Sequence, residues 1–323
     1  RLCRWTAVAA TTIATDRTPD AGRRFVVRVS LAAILGAGIL SGCATFRKQK
    51  VVSDSVATCR QLSCEGVAAM ERGHLEHAHE LLEKAVKISP GDIEARRQLA
   101  EVLWRSGAPE EAVAHMQAAV NLDPRHAPTV VRSGEMLLGV GAYDRALARA
   151  EEAIALDGTL AGAWALRGRA YRYQGDLERA LADLQHALQF SPNASDLLQD
   201  TAEVQYQLGR HQRALTTVQH LLNSTPPGSQ SREGLWLAGL AYGAVDRPQD
   251  ALTSLQAAAE IGEPHPELLY QLARAQQAVG LPAEAANSVR QALAMDGEHQ
   301  GSRELLAQLQ TATPPGADGV IRR

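Results

Sequence analysis

Apolar and small residues recur along this chain with two periods at once. Inside a segment they fall three and four residues apart, the spacing of one face of an α-helix. The segments themselves repeat every 34 residues or so. Ala161–Ala194 is the clearest copy. Trp164, Gly168 and Tyr171 share one face of a first helix, and Gly175-Asp176 makes a turn. Ala180, Leu184 and Ala187 share one face of a second helix, and Pro192 closes the copy. Polar and charged residues fill the positions between, so the pattern predicts pairs of amphipathic helices and no strands.

Stepping by this period keeps several columns in register. The small-residue column of the first helix reads Gly66, Ala100, Gly134, Gly168, Ala202, Gly239 and Ala273. The turn column reads Gly73, Gly107, Gly141, Gly175, Gly209, Asp246 and Gly280, and the second helix carries Ala78, Ala112, Ala146, Ala180, Ala214, Ala251 and Ala285. About three residues are inserted around Pro227-Gly228-Ser229. Small residues let neighbouring helix backbones approach. One pair cannot bury its apolar face alone, so the pairs are expected to stack.

These columns resemble the tetratricopeptide repeat family. The resemblance covers seven units: 59–92, 93–126, 127–160, 161–194, 195–228, 232–265 and 266–299. It implies an all-α, right-handed superhelical solenoid. Residues 300–310 are expected to add a capping helix, with Leu305, Leu306 and Leu309 covering the last unit. Residues 311–323, rich in Pro, Gly and Ala, are expected to form a disordered tail.

The N-terminal stretch reads differently. Arg23, Arg24 and Arg28 precede an apolar run, Val29 to Leu40, ending in Leu40-Ser41-Gly42-Cys43. A basic start, a short apolar core and small residues before a cut site form a secretory signal. The run falls short of the roughly 20 residues of a membrane span. The last four residues resemble the bacterial lipoprotein processing box. That resemblance implies cleavage after residue 42 and a lipidated Cys43, and Ala44 after it points to the outer membrane with the repeats facing the periplasm. Residues 43–58 would then be the lipidated cysteine and its tether.

The remaining chemistry is sparse. A chain starting at Cys43 would hold 27 basic and 34 acidic residues, a net of −7, with no basic stripe for nucleic acid. Cys59 and Cys64 are five residues apart, and a bridge between them requires Cys59 to lie outside a helix. His74, His77 and His79 do not share one helical face, so no metal site is expected. His79-Glu80-Leu81-Leu82-Glu83 opens like a zinc-protease helix but has Glu83 where the second histidine belongs. No phosphate loop or nucleophile elbow appears, so the chain is expected to have no catalytic residues, no cofactor and no small-molecule substrate.

That leaves a partner groove. In the family the resemblance points to, the first helix of each unit lines a concave face. Projected here, that face takes Arg97, Glu101, Trp104 and Arg105 from the second unit, then Arg132 and Glu135, then Arg169, Arg172 and Tyr173. The fifth unit adds Gln199, Glu203, Tyr206 and Gln207, the sixth Trp236 and Leu240, and the seventh Tyr270 and Arg274. Aromatic residues and Arg are the types enriched at binding hot spots. Chaperone-binding members of the family grip a peptide carboxylate with Lys and Asn, and neither type occurs among these positions. The expected function is a non-enzymatic protein-interaction scaffold in the bacterial cell envelope, serving pilus, secretion or cell-wall assembly, with a protein or peptide in the groove. The alternative is a structural subunit of a polysaccharide or protein export complex, packing through the convex face.

Overall fold

A computed structural model describes residues 54–226 and 228–312. The expected signal segment, Cys43, Pro227 and most of the expected tail lie outside the described residues. The described chain is a run of fifteen helices joined by short turns. The first compact unit, which ends at Pro90, contributes α1 (Asp54–Glu71) and α2 (Leu75–Ile88). α1 begins at Asp54, so residues 54–58, expected in the tether, are helical. Cys59 therefore sits inside α1, where it is buried, while Cys64 is exposed. A five-residue separation along one helix rises about 7.5 Å, beyond the reach of a disulfide, so the condition for a bridge is not met.

The second compact unit starts at Gly91. It holds six helix pairs and a final helix: α3 (Ile93–Arg105) with α4 (Pro109–Leu122), α5 (Ala127–Gly139) with α6 (Tyr143–Leu156), and α7 (Ala161–Tyr173) with α8 (Leu177–Phe190). Then come α9 (Ser195–Gln207) with α10 (His211–Ser224), α11 (Arg232–Ala244) with α12 (Pro248–Glu260), and α13 (Pro266–Ala278) with α14 (Pro282–Met295). α15 (Gln300–Ala312) ends the described chain, so Thr311 and Ala312, expected in the tail, are helical. This unit is an all-α repeat solenoid, and no strand occurs among the described residues. Leu305 and Leu309 of α15 pack on Ala273, Ala285 and Val289 of the last pair. Among the described residues no helix is long and apolar enough to cross a membrane.

Local chemistry sets the helix ends. Asp92 and Ser231 accept backbone N–H bonds from Ala95 and Gly234, at 2.9 and 3.0 Å. His126, His265 and His299 do the same through Nδ1 at α5, α13 and α15. Each satisfies a donor that the first turn leaves unpaired. At the tight turn within a pair, Gly175 takes φ +82°, and the N–H of Asp176 returns to the Tyr171 carbonyl at 2.9 Å. Asp246 holds the same place after α11 with φ +58°, the one non-glycine residue at positive φ among those described. Asp246→Gly is expected to stabilise the chain by about 0.5–1 kcal/mol, because a side chain there opposes the left-handed conformation. Urea unfolding of the two proteins checks it, and an unchanged or lower midpoint would show that Asp246 makes a compensating contact.

Candidate functional site

The helix pairs of the second unit do not meet evenly. From α5 onward each first helix touches the first helix of the next pair, while the second helices make no comparable contact with one another. Pairs that approach more closely on one side curve toward it. The first helices therefore line the inner side of this unit's curve, the face on which the sequence placed its candidate residues.

The charged candidates of that face are bound to each other. Arg132 on α5 reaches back to Glu101 on α3 with two bonds, Nε to Oε1 at 2.6 Å and Nη2 to Oε2 at 2.8 Å, and holds Glu135 with Nη1 at 2.9 Å. Arg169 on α7 reaches forward to α9, to Asp200 at 2.5 Å and Asp196 at 3.1 Å. Arg172 bonds Glu203 on α9, with Asp200 3.8 Å away, and Gln199 also donates to Glu203. Three of these inter-helix bridges, Arg132–Glu101, Arg169–Asp200 and Arg172–Glu203, span 31 residues. That is one repeat less roughly one helical turn. Arg97 pairs one turn back with Glu94 at 3.0 Å. Sequence reasoning placed these arginines and glutamates on one face but assigned them to a partner, and it missed Asp196 and Asp200. The 31-residue offset between an arginine and an acid was the available signal.

Burial and charge compete within these bridges. The Glu101 hydrogen bonds raise the Arg132 pKa above the usual arginine value against the effect of burial, and Glu135 adds to them. Burial opposes the charge on Arg169, but Asp200 and Asp196 overcome it and the pKa rises. Asp200 is different: burial pushes its carboxyl up, while Arg169 and Arg172 pull the other way and Glu203 adds to the rise.

The aromatic candidates divide in two. Trp104 lies against Gly139 of the next first helix, its Cη2 2.6 Å from where a Cβ would stand. Trp236 packs on the α12–α13 core with His265 edge-on at 5.1 Å, and Tyr270 lies over Gly301 with His299 at 5.4 Å. The Tyr206 ring rests on His211 at 5.0 Å. These four, expected to contact a partner, are half-buried and join neighbouring helices. Tyr173 is 53% exposed, stacked on Tyr143 of the preceding pair with centroids 5.0 Å apart. Arg105, Gln207 and Arg274 are also exposed, while Leu240 is half-buried on α11. Among the described residues no group of three His, Cys, Asp or Glu is placed to hold a metal ion.

Comparison with known proteins agrees on the repeat. A family model described as tetratricopeptide repeat matches residues 69–130 and 171–232. No curated protein matches the sequence. Among solved structures, a chain of the APC/C hetero-tetramer Cut9–Hcn1 is similar with a TM-score of 0.66 at 15% identity, over 81% of this chain and 50% of that one. This chain thus spans about half its length. A tetratricopeptide repeat protein from Parabacteroides merdae has a TM-score of 0.58 at 16% identity, over 79% and 99% of the two chains. Pseudomonas aeruginosa pilF has 0.56 at 19% identity, over 64% and 93%. At these identities the likeness is one of fold.

Proposed function

We propose, from the premise that this chain is a tetratricopeptide-repeat protein, that it is a non-enzymatic adaptor holding a protein or peptide partner on its inner face at the bacterial envelope. The observation that carries this reading is the inner face itself. Three arginine–carboxylate bridges tie α3 to α5 and α7 to α9, so these stretches of the face are ordered before a partner arrives. A preformed surface loses less entropy on binding. Arg105, Tyr173, Gln207 and Arg274 stand exposed on it. The Cut9–Hcn1 protein is itself part of a hetero-tetramer, which supports assembly as the role.

Photo-reactive residues at Tyr173 and Gln207, compared with Gln189 and Thr253 on the second helices, test the face. Crosslinks from the first two positions to one identified protein are expected. Crosslinks from the second two alone would favour the export-subunit alternative. That alternative has one observation behind it, the exposed Leu122, Leu156 and Phe190 at successive second-helix ends.

The envelope address rests on the basic start, the apolar run and Leu40-Ser41-Gly42-Cys43. An acyl chain contributes about 0.8 kcal/mol per buried CH₂, and the three chains borne by this family of lipoproteins make an outer-membrane anchor durable. Cys43→Ser is expected to abolish radiolabelled lipid incorporation and leave the precursor unprocessed. A serine variant that still matures and still sediments with membranes would overturn the anchor.

A further inference from the structure

On the outer side of the second unit, side chains of α7 fill the space between the end of α6 and α8. Trp164 donates through Nε1 to the Gly158 carbonyl at 2.9 Å and meets the His186 ring at 4.0 Å. Arg167 lies 4.8 Å from the Trp164 ring centroid and forks onto Asp183 at 2.7 and 2.8 Å. One repeat later the columns of Trp164, Arg167 and Asp183 hold Leu198, Thr201 and Thr217. Leu198 and Thr201 are shorter than the side chains they replace, and a cleft of about 350 Å³ opens between α8, α9 and α10.

This cleft is polar without being charged. Among the described residues that line it there is no Asp, Glu, Lys or Arg. Leu188, Pro192 and Leu198 form an apolar wall. Gln185, Thr216 and His220 stand exposed at the rim, and His220 Nε2 bonds Asn193 Oδ1 at 3.0 Å. Gln205 lies deeper and is only 5% exposed. Thr217 donates to its Oε1 at 2.8 Å, while the Nε2 end meets no acceptor among the described residues. A buried amide is rarely left with an unused end, so this one points to a ligand that accepts. The same hydrogen bond recurs in the last pair, from Ser288 to Gln276 at 2.8 Å, but there Leu272 stands in the column of Thr201.

We propose that this cleft binds a neutral saccharide on the outer face, independently of any partner on the inner one. Sugar hydroxyls both donate and accept, as do the amides and hydroxyls here. Gln205 and Gln185 bond hydroxyls of the sugar, and the wall of Leu188, Pro192 and Leu198 takes the C–H face of its ring. A charged ligand finds no opposite charge, and a purely apolar one leaves the Gln205 amide buried and unpaired. The volume falls within the roughly 300–1,000 Å³ of small-molecule sites, enough for a short saccharide.

The test applies the full chain, fluorescently labelled, to an array of immobilised neutral oligosaccharides together with uronate and glucosamine oligosaccharides. Retention by neutral members and not by charged ones is expected. Retention by no neutral member, or equally by charged ones, overturns the proposal. Titration calorimetry with the strongest neutral ligand then compares variants. Gln205→Leu and Thr216→Arg are each expected to weaken binding roughly tenfold or more. Leu198→Trp, which restores the bulk found at Trp164, is expected to abolish it. Gln276→Leu removes the matching hydrogen bond in the last pair and should leave binding unchanged, as should Tyr173→Ala on the inner face. Circular dichroism checks that each variant is helical. Thr216→Arg alters only an exposed side chain, so it carries the test if a deeper variant does not fold. Binding that survives Gln205→Leu and Thr216→Arg overturns the cleft, and binding lost on Tyr173→Ala instead overturns it in favour of the inner face.

Discussion

Gly239→Ala is expected to destabilise the repeats around it by about 1–2 kcal/mol, although alanine is the better helix former. A Cβ at residue 239 would stand 2.7 Å from Leu255 Cδ2 and 3.2 Å from Cδ1, and nearer still to the branching Cγ. Leu255 is only 2% exposed, so it has little room to withdraw. Overpacking of a core costs about 1–3 kcal/mol, and the gain in helix propensity returns at most about 1 kcal/mol. Leu255→Val alone is expected to cost about 1 kcal/mol for the lost methylene. The two changes together should recover most of both losses. They create an Ala–Val pair at positions where α9–α10 has Ala202 and Val218 and α13–α14 has Ala273 and Val289, all fully buried. A double-mutant cycle by urea unfolding should show a favourable coupling of about 2 kcal/mol, within the range for residues in contact. Losses that simply add would mean the two positions do not share one space.

That pairing explains why so much of the fold was legible. The small-residue column of each first helix faces a position 16 residues later in its own second helix. Gly168 and Gly239 face Leu184 and Leu255, while Ala202 and Ala273 face valines. The sizes compensate inside one pair, so a local pattern reports a local contact. Gly134 breaks the rule, since the residue 16 further on is Ala150. Its space is filled by Leu166 from the next pair, and no spacing within one unit could have shown that.

The site was legible in a different measure. Periodicity placed Arg132, Arg169, Arg172 and Tyr173 on the first-helix face, because a helical face is a property of one helix. What those side chains touch depends on the neighbouring helix. Hot-spot composition favoured Trp104, Trp236 and Tyr270 as contacts, yet large aromatic rings on this face also fill the gaps left by Gly139 and Gly301.

The bridge between α7 and α9 supports the last expectation. Arg169→Leu is expected to lose about 2–4 kcal/mol at pH 7. Breaking a buried pair by removing one partner costs about 3–5 kcal/mol, and the lower range allows for the residual exposure of the two side chains, 22% and 16%. The loss arises because Asp200 keeps a charge in a half-buried place with only Arg172, 3.8 Å away, to oppose it. Burial already pushes the Asp200 carboxyl above its usual range while Arg169 is present, so removing Arg169 must push it further. A folded-state pKa above the unfolded value, about 3.9 for Asp, means that the folded form gains stability by taking up a proton as pH falls. The defect of Arg169→Leu should therefore shrink as pH falls through the variant's raised pKa and level off below the parent's own Asp200 pKa, since the unfolded state is common to both. Asp196 and Glu203 border the same arginines, but both remain in the variant and in the parent. Asp200→Asn should lose less at pH 7, since its amide oxygen can still accept from Arg169 and Asp196 still opposes the guanidinium charge. Urea unfolding of parent, Arg169→Leu and Asp200→Asn at pH 7 and near pH 4 measures all of this. A defect in Arg169→Leu that is equal at both pH values would show that the lost packing of the arginine stem, and not the stranded carboxylate, is the cause.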